Sequence, residues 1–183
     1  MLEESDLQAG PLTTQWPDRR SRWKDLHLTP EPVEQFDGLA SEFREDFDGN
    51  AAMINLVGIE FQHFPGLGVR AGLASTRRMT TGEGWCPHVV NRGGRSFTVR
   101  NTGAYSRFAS NPALDEYGVM AYLGTGLIDT RHSGLVLGTI CVVDGTARPE
   151  WDDSDVRRLK QWSTTVMDVI YDRADRQGKR TYL

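Results

Sequence analysis

The chain has 183 residues and a formal net charge of −4, with 38% hydrophobic and 25% charged residues. This composition is typical of one globular domain with short extensions, and its acidic balance argues against a nucleic-acid partner. No apolar run approaches the roughly 20 residues that cross a bilayer, and the acidic N-terminus does not resemble a signal peptide. We therefore expect a cytoplasmic protein with no membrane partner, whose two cysteines are reduced thiols.

The first 30 residues show little apolar periodicity and contain a basic patch at 19–24. We predict a partly flexible N-terminal extension at 1–30, a domain at 31–176 and a short C-terminal tail at 177–183. The basic patch would suit an acidic surface. A simpler interpretation is a solvated arm whose Trp16 and Trp23 pack on the domain.

A helix is predicted over Val33–Phe47, where apolar residues recur at steps of three and four. Thr29 is its expected N-terminal cap. Residues 51–57 then predict a strand, 60–64 its hairpin partner, and 65–68, with a proline and two glycines, a loop.

The middle of the chain predicts short elements separated by turns. A short helix is expected at 86–90, a strand at 96–100 and another short helix at 113–117. Residues 119–122 and 127–129 are expected to flank a glycine-rich bend.

Residues 135–143 are almost all apolar, which is typical of a strand buried on both faces. An acidic cluster at 152–155 then begins an amphipathic closing helix. Helices at both ends and strands between them predict an α+β fold with an antiparallel sheet. The terminal helices should cover one face, and the short helices and loops should form a pocket on the other.

Four short motifs, in the same order, resemble those of GAF domains. They are Trp85-Cys86, Arg107-Phe108 with Asn111-Pro112, the segment 122–127, and the segment 138–144 followed by Arg148-Pro149 and Trp151. The resemblance covers about 33–171 and implies a GAF/PAS-like fold. It also implies a non-catalytic sensory or regulatory module that binds a small molecule and signals to a separate partner protein. Within these regions, Gly126 replaces the usual proline, and Asn101 and Tyr105 stand where many relatives carry Asp.

Aromatic and polar side chains near these motifs are the candidate ligand-binding residues. Asp144 would contact a ligand or fix its own turn, and Arg107 would clamp an anion or satisfy carbonyl groups. The full set is Trp85, Cys86, His88, Tyr105, Arg107, Phe108, Tyr117, Tyr122 and Asp144.

Cys86 is the sharpest chemical candidate, because a thiol near a helix N-terminus ionises more readily and His88 lies two residues on. It would be a redox thiol, a tetrapyrrole attachment point, or a small buried apolar residue. Bilin-binding relatives usually carry His directly after the cysteine, and Pro87 argues against attachment here. Cys141 lies in mid-strand and matters only if it meets Cys86, with Cα atoms within about 7 Å.

An alternative function uses both cysteines. A thiol-based redox sensor or reductase, similar to the GAF-fold reductases of free methionine sulfoxide, would employ Cys86 and Cys141. No metal site is expected, because the four histidines are scattered, and the sequence identifies no cofactor.

The resemblance also implies a homodimer through the terminal helices. Trp162 and Val169 lie off the core-facing stripe of the closing helix and would need a cover. A second subunit or the N-terminal arm would supply it.

Overall fold

The structure is a computed structural model, and it describes residues 11–105 and 111–180. Its elements, in chain order, are α1 (Pro11–Thr14), α2 (Trp16–Asp25), α3 (Glu34–Asp46), β1 (Ala51–Val57), β2 (Phe61–Val69), β3 (Arg78–Thr80), α4 (Cys86–Asn91), β4 (Phe97–Val99), a 3₁₀ turn (Thr102–Ala104), α5 (Pro112–Tyr117), β5 (Ala121–Asp129), β6 (Leu135–Asp144) and α6 (Asp153–Arg180).

Six strands form one antiparallel sheet in the order β3-β2-β1-β6-β5-β4. Strands β1 and β6 lie at its centre, and every residue of β6 is buried, as its apolar sequence predicts. Met53 is paired with Cys141, and Tyr122 is paired with Val143. The α+β prediction is confirmed.

The two faces of the sheet have different covers, also as predicted. Helix α3 packs on β1 and β2, and helix α6 packs on β5 and β6. Phe36, Phe43 and Leu159 from these helices share one hydrophobic cluster with Leu123 of the sheet. Helix α4 packs on the opposite face, where Trp85 belongs to a second cluster. Within the described residues, no helix is both long and apolar enough to cross a membrane.

Residues 11–26 wrap around one end of the sheet and contact both faces. Trp23 is buried, and its indole N–H donates to the Leu137 carbonyl at 2.9 Å. Leu12 lies in the cluster on the opposite face. Arg19, between them, is fully buried and donates to the carbonyl oxygens of Val57, at 3.1 Å, and of Leu12. The described part of the N-terminal extension is therefore fastened to the sheet by both apolar and polar contacts.

Trp16 and Trp23 pack as the simpler interpretation expects. Their rings meet edge to face with centroids 5.2 Å apart, and both contact the cluster beneath α3 and α6. The residues of the basic patch therefore differ in burial, since Arg19 is buried while Arg20 is exposed.

The predicted loop at 65–68 is wrong, because β2 continues through it to Val69. Its two glycines lie directly under α3. A Cβ on Gly66 would lie 2.8 Å from Phe36 Cβ, and one on Gly68 would lie 2.6 Å from the Ser41 amide nitrogen. These glycines allow the helix to approach the strand closely, and the proline beside them lies at a bulge, where β2 has one more residue than the facing part of β1.

The predicted glycine-rich bend is also wrong, since β5 is one continuous strand. A Cβ on Gly126 would lie 2.5 Å from Gly94 Cα, so this glycine admits the loop after α4. The expected cap Thr29 is likewise incorrect. Helix α3 begins at Glu34 after Val33, without a side-chain cap, and the Val33 amide donates to the Pro65 carbonyl at 2.8 Å.

Candidate functional site

A cavity of about 190 Å³ lies on the face of the sheet opposite α3 and α6. Strands β1, β2 and β6 form its floor, and α4, α5 and the loop at 73–76 form its walls. Leu73 lines the cavity and is also 46% exposed, so this loop borders the opening. An apolar cavity of 150 Å³ holds one benzene molecule. The space therefore suits a ligand of about that size.

Most of the lining is apolar, and its charged side chains are all acidic. Met53, Phe64 and Val119 are typical of the lining, and Glu116 and Asp144 supply carboxylates. Among the described residues that line the cavity, there is no Lys, Arg or His. The cavity therefore favours neutral or cationic molecules over anions.

Asp144 is engaged by its own turn. Its carboxylate accepts from Arg148, at 2.5 Å, and from the amide and hydroxyl of Thr146, each at 2.8 Å. Burial acts to raise the pKa of Asp144, but these hydrogen bonds outweigh it and hold the pKa below its usual value. Asp144 is therefore ionised at neutral pH, and the geometry favours its turn-fixing role.

Tyr117 offers a neutral polar group on the cavity wall. Burial and the negative charges of Glu116 and Glu83 raise the pKa of its phenol. The hydroxyl therefore stays protonated across the physiological range and presents a neutral polar group to a bound molecule.

The two cysteines meet at the floor of the cavity. The Sγ atoms of Cys86 and Cys141 are 3.5 Å apart, although 55 positions separate the residues in the chain. Cys86 is the first residue of α4, and Cys141 lies in the middle of β6. Both are buried free thiols, and both line the cavity. A small molecule in the cavity would thus lie next to a pair of thiols.

Polar side chains surround Cys86. The Tyr122 hydroxyl lies 3.3 Å from Cys86 Sγ. Burial disfavours the thiolate, but hydrogen bonds, first from Cys141 and then from Tyr122, outweigh it and lower the pKa of Cys86 to about 7. The hydrogen bond to Cys86 and burial raise the pKa of Cys141 well above its usual value. The pair therefore loses its first proton from Cys86.

The structure brings most of the candidate ligand-binding residues together. Those that line the cavity are Trp85, Cys86, Tyr117, Tyr122, Cys141 and Asp144. His88 instead packs against Phe97, with ring centroids 5.9 Å apart. Tyr105 is 46% exposed and does not line the cavity. Arg107 and Phe108 lie outside the described residues.

Sequence reasoning missed the polar part of the sheet behind the thiols. Asn55 and Thr139 are paired across β1 and β6, and both are fully buried. The Asn55 amide donates to Gln62 at 2.9 Å, whose own amide donates to the Thr80 carbonyl at 2.8 Å. The sequence does contain a sign of this cluster, which is a polar residue at the centre of each of two otherwise apolar strands. A buried polar residue in such a place needs partners.

The described residues contain no group of three or more His, Cys, Asp or Glu side chains that would hold a metal ion.

The chain matches no family model and no curated protein, but many solved structures share its fold. The blue-light-absorbing form of the Thermosynechococcus elongatus PixJ GAF domain is 13% identical, with a TM-score of 0.62 over 100% of this chain and 97% of that one. Free methionine-R-sulfoxide reductase from Neisseria meningitidis, in complex with its substrate, is 14% identical, with a TM-score of 0.61 over 88% and 89%. A far-red-absorbing dark state with bound biliverdin IXα is 11% identical, with a TM-score of 0.59 over 85% and 98%.

These similarities show that the chain has a GAF-like fold, as the four motifs indicate. A linear tetrapyrrole such as biliverdin is larger than the cavity that the described residues line. The volume of about 190 Å³ is close to that of a one-ring site, whereas the pigment has four pyrrole rings. In addition, Cys86 is already held by a second thiol and by Tyr122.

Proposed function

We propose that the chain is a sensory or regulatory module that binds a small, neutral or cationic molecule in the cavity behind its sheet. The observation that carries this proposal is the cavity itself, with its apolar walls and protonated Tyr117. Binding pockets combine such apolar walls with a few oriented polar groups. The GAF-like fold of the neighbouring sensors supports the same assignment.

The size and charge of the cavity limit the ligand. A volume of about 190 Å³ suits a single ring or a short branched chain. Glu116 disfavours an anion, since no described lining residue offsets its charge, whereas Arg148 compensates the charge of Asp144. Ligands of this size reach dissociation constants of roughly 1 μM to 1 mM.

Three one-ring probes test this proposal by titration calorimetry on the full chain: phenol, benzylamine and benzoate. We expect phenol or benzylamine to bind at least tenfold more tightly than benzoate. Native mass spectrometry of the freshly purified protein would show any molecule that remains bound. Benzoate binding as tightly as phenol would contradict the charge argument. A complete lack of binding and of any co-purifying molecule would overturn the proposal.

A matched pair of variants locates the binding site. Ala51→Phe places a ring on the cavity side of β1 and should abolish probe binding. Thr165→Phe adds the same ring to an exposed position of α6 and should leave binding unchanged. Equal binding by both variants would place the probes somewhere other than the cavity.

A specific observation favours a second candidate function, a thiol-based redox sensor or reductase. The Sγ atoms of Cys86 and Cys141 are separated by 3.5 Å, so a disulfide requires them to approach by only about 1.5 Å. The methionine sulfoxide reductase among the structural neighbours shares the fold.

Signal output and assembly remain proposals. We infer that a separate protein receives the signal and that two chains pair through α3 and α6. The pairing now rests on resemblance alone, since Trp162 already packs on Phe43 and donates to Asp46 at 2.8 Å, and Val169 packs on the core. Light scattering of the full chain at several concentrations tests the dimer, and a monomer throughout would exclude it.

A further inference from the structure

A buried polar cluster lies where the apolar floor of the cavity meets α4. It comprises Cys86, Cys141, Tyr122, Asn55 and Thr139, which come from one helix and three neighbouring strands. All five are buried, and no described group satisfies the Asn55 Oδ1 atom. Polar groups in such a place are costly to bury. Their convergence on a thiol that lines a cavity therefore indicates a chemical role.

We propose that this cluster is a two-thiol reaction centre for small, uncharged organic hydroperoxides, in which Cys86 attacks the peroxide and Cys141 resolves the product. The inference rests on the cavity of the proposed function as the route to the thiols. It does not depend on the identity of the sensed ligand.

In the first step, the Cys86 thiolate attacks the terminal oxygen of a hydroperoxide, ROOH. The O–O bond breaks, the sulfur is oxidised to the sulfenic acid, and the alkoxide leaves and takes up a proton as ROH. In the second step, Cys141 attacks the sulfenic sulfur. An S–S bond forms, and the sulfenic oxygen leaves with two protons as water. The peroxide gains the two electrons that the thiol pair loses.

The surroundings of the two thiols assign their roles. Tyr122 donates to Cys86, and this hydrogen bond stabilises a thiolate there. Cys141 lies in mid-strand at 0% exposure, and its pKa is raised by its hydrogen bond to Cys86 and by burial. Cys141 therefore remains a thiol until the sulfenic acid forms 3.5 Å away.

Tyr122 is a positioning residue that supplies a proton donor beside the attacking sulfur. Its ring is packed between Trp85 and Phe97, with centroids 5.5 Å and 6.2 Å away. Burial and the nearby thiols raise the pKa of its phenol well above the usual value, so the donor is retained. Its hydroxyl occupies the space above Gly124, where a Cβ would lie only 2.1 Å from the oxygen.

The residues that line the cavity limit the charge and size of the substrate. A methionine sulfoxide zwitterion carries a carboxylate that a cationic side chain would normally bind. The described lining offers no such cation. An alkyl or aryl hydroperoxide is neutral, and one with a single ring or short chain suits the cavity volume of about 190 Å³.

The test treats the reduced full chain with cumene hydroperoxide and follows its intact mass. The wild type should lose 2 Da as the disulfide forms, and a thiol reductant should restore the mass. Cys141→Ser should instead gain 16 Da, and dimedone should label Cys86 in it. Cys86→Ser should show neither change. A wild type that forms no disulfide, or equal oxidation of Cys86→Ser, would overturn the proposal.

Tyr122→Phe tests the positioning role separately. We expect at least a fivefold slower first step, together with a higher midpoint in the pH profile of Cys86 alkylation. A variant that is merely loosened would alkylate faster at every pH, with no higher midpoint, and that result would exclude the role. Phenol titration of the reduced wild type separates this inference from ligand binding. If the wild type binds phenol but forms no disulfide with the hydroperoxide, only the reaction centre fails.

Discussion

Replacing Gly68 with alanine should destabilise the protein, because this glycine sets the distance between α3 and the sheet. The added Cβ would lie 2.6 Å from the Ser41 amide nitrogen and 2.7 Å from the Ala40 carbonyl carbon. Both are backbone atoms, so no side-chain rotation relieves the overlap. An ordinary contact begins at 3.4 Å, so the helix must move by about 0.8 Å.

That movement would disturb a tightly packed interface. Phe36, Ala40 and Phe43 anchor α3 and are at most 2% exposed. Overpacking of such cores costs about 1–3 kcal/mol. For a chain of this length, each kcal/mol lowers the melting temperature by about 2–4 °C. Urea and thermal unfolding, followed by circular dichroism, would measure both effects.

Gly38→Ala is the matched control, since Gly38 lies on the exposed side of the same helix. Its added Cβ would meet nothing within 4 Å. Alanine is preferred to glycine inside a helix, so this variant should be about 0.5–1 kcal/mol more stable than the wild type. If Gly68→Ala unfolds within 0.5 kcal/mol of the wild type, the packing argument is incorrect.

Two further substitutions test the fastening of the N-terminal segment. Arg19→Met leaves carbonyl groups at the end of the sheet without their donor and should cost about 2–3 kcal/mol in urea unfolding. Arg20→Met, at an exposed neighbouring position, should change stability by less than about 0.5 kcal/mol. Asp129 is fully buried. Although burial acts to raise its pKa, hydrogen bonds from Arg22, at 2.5 Å, and Tyr171, at 2.7 Å, lower it overall. Because the folded pKa lies below the unfolded value of about 3.9, this stabilisation is present at neutral pH and is lost as the pH falls through the folded pKa. Asp129→Asn should therefore cost about 3 kcal/mol at pH 7 and progressively less as the pH falls below the unfolded pKa of Asp, and a pH-independent difference would refute the linkage.

The sequence alone determined the elements whose signal is local. The apolar run of β6, the stripe of α3 and the short helix at Cys86 lie within one or a few residues of their predicted bounds. Side-chain periodicity depends on neighbours in the chain, so a single sequence reveals it. The order of these elements, with the four motifs, was also sufficient for the fold class.

Tertiary structure alone decided how the glycine-rich stretches fold. Gly66, Gly68 and Gly126 lie in strands, although glycine is typical of turns. Their role is to admit backbone from α3 and from the loop after α4. That packing comes from segments distant in the chain, which the local pattern does not contain.

The candidate site shows the same division. Cys86 and Tyr122 were recognisable as cavity residues from their motifs, but nothing in the sequence gave the 3.5 Å between Cys86 and Cys141. That distance depends on where α4 packs on the sheet and on the register of β1 and β6, which pairs Asn55 with Thr139. A one-residue slip of β6 would turn Cys141 to the opposite face, because side chains alternate along a strand. The sequence specifies the residue types. The distance between the two thiols, and their distance from the groups that donate to them, depend on strand register and on the position of the helix.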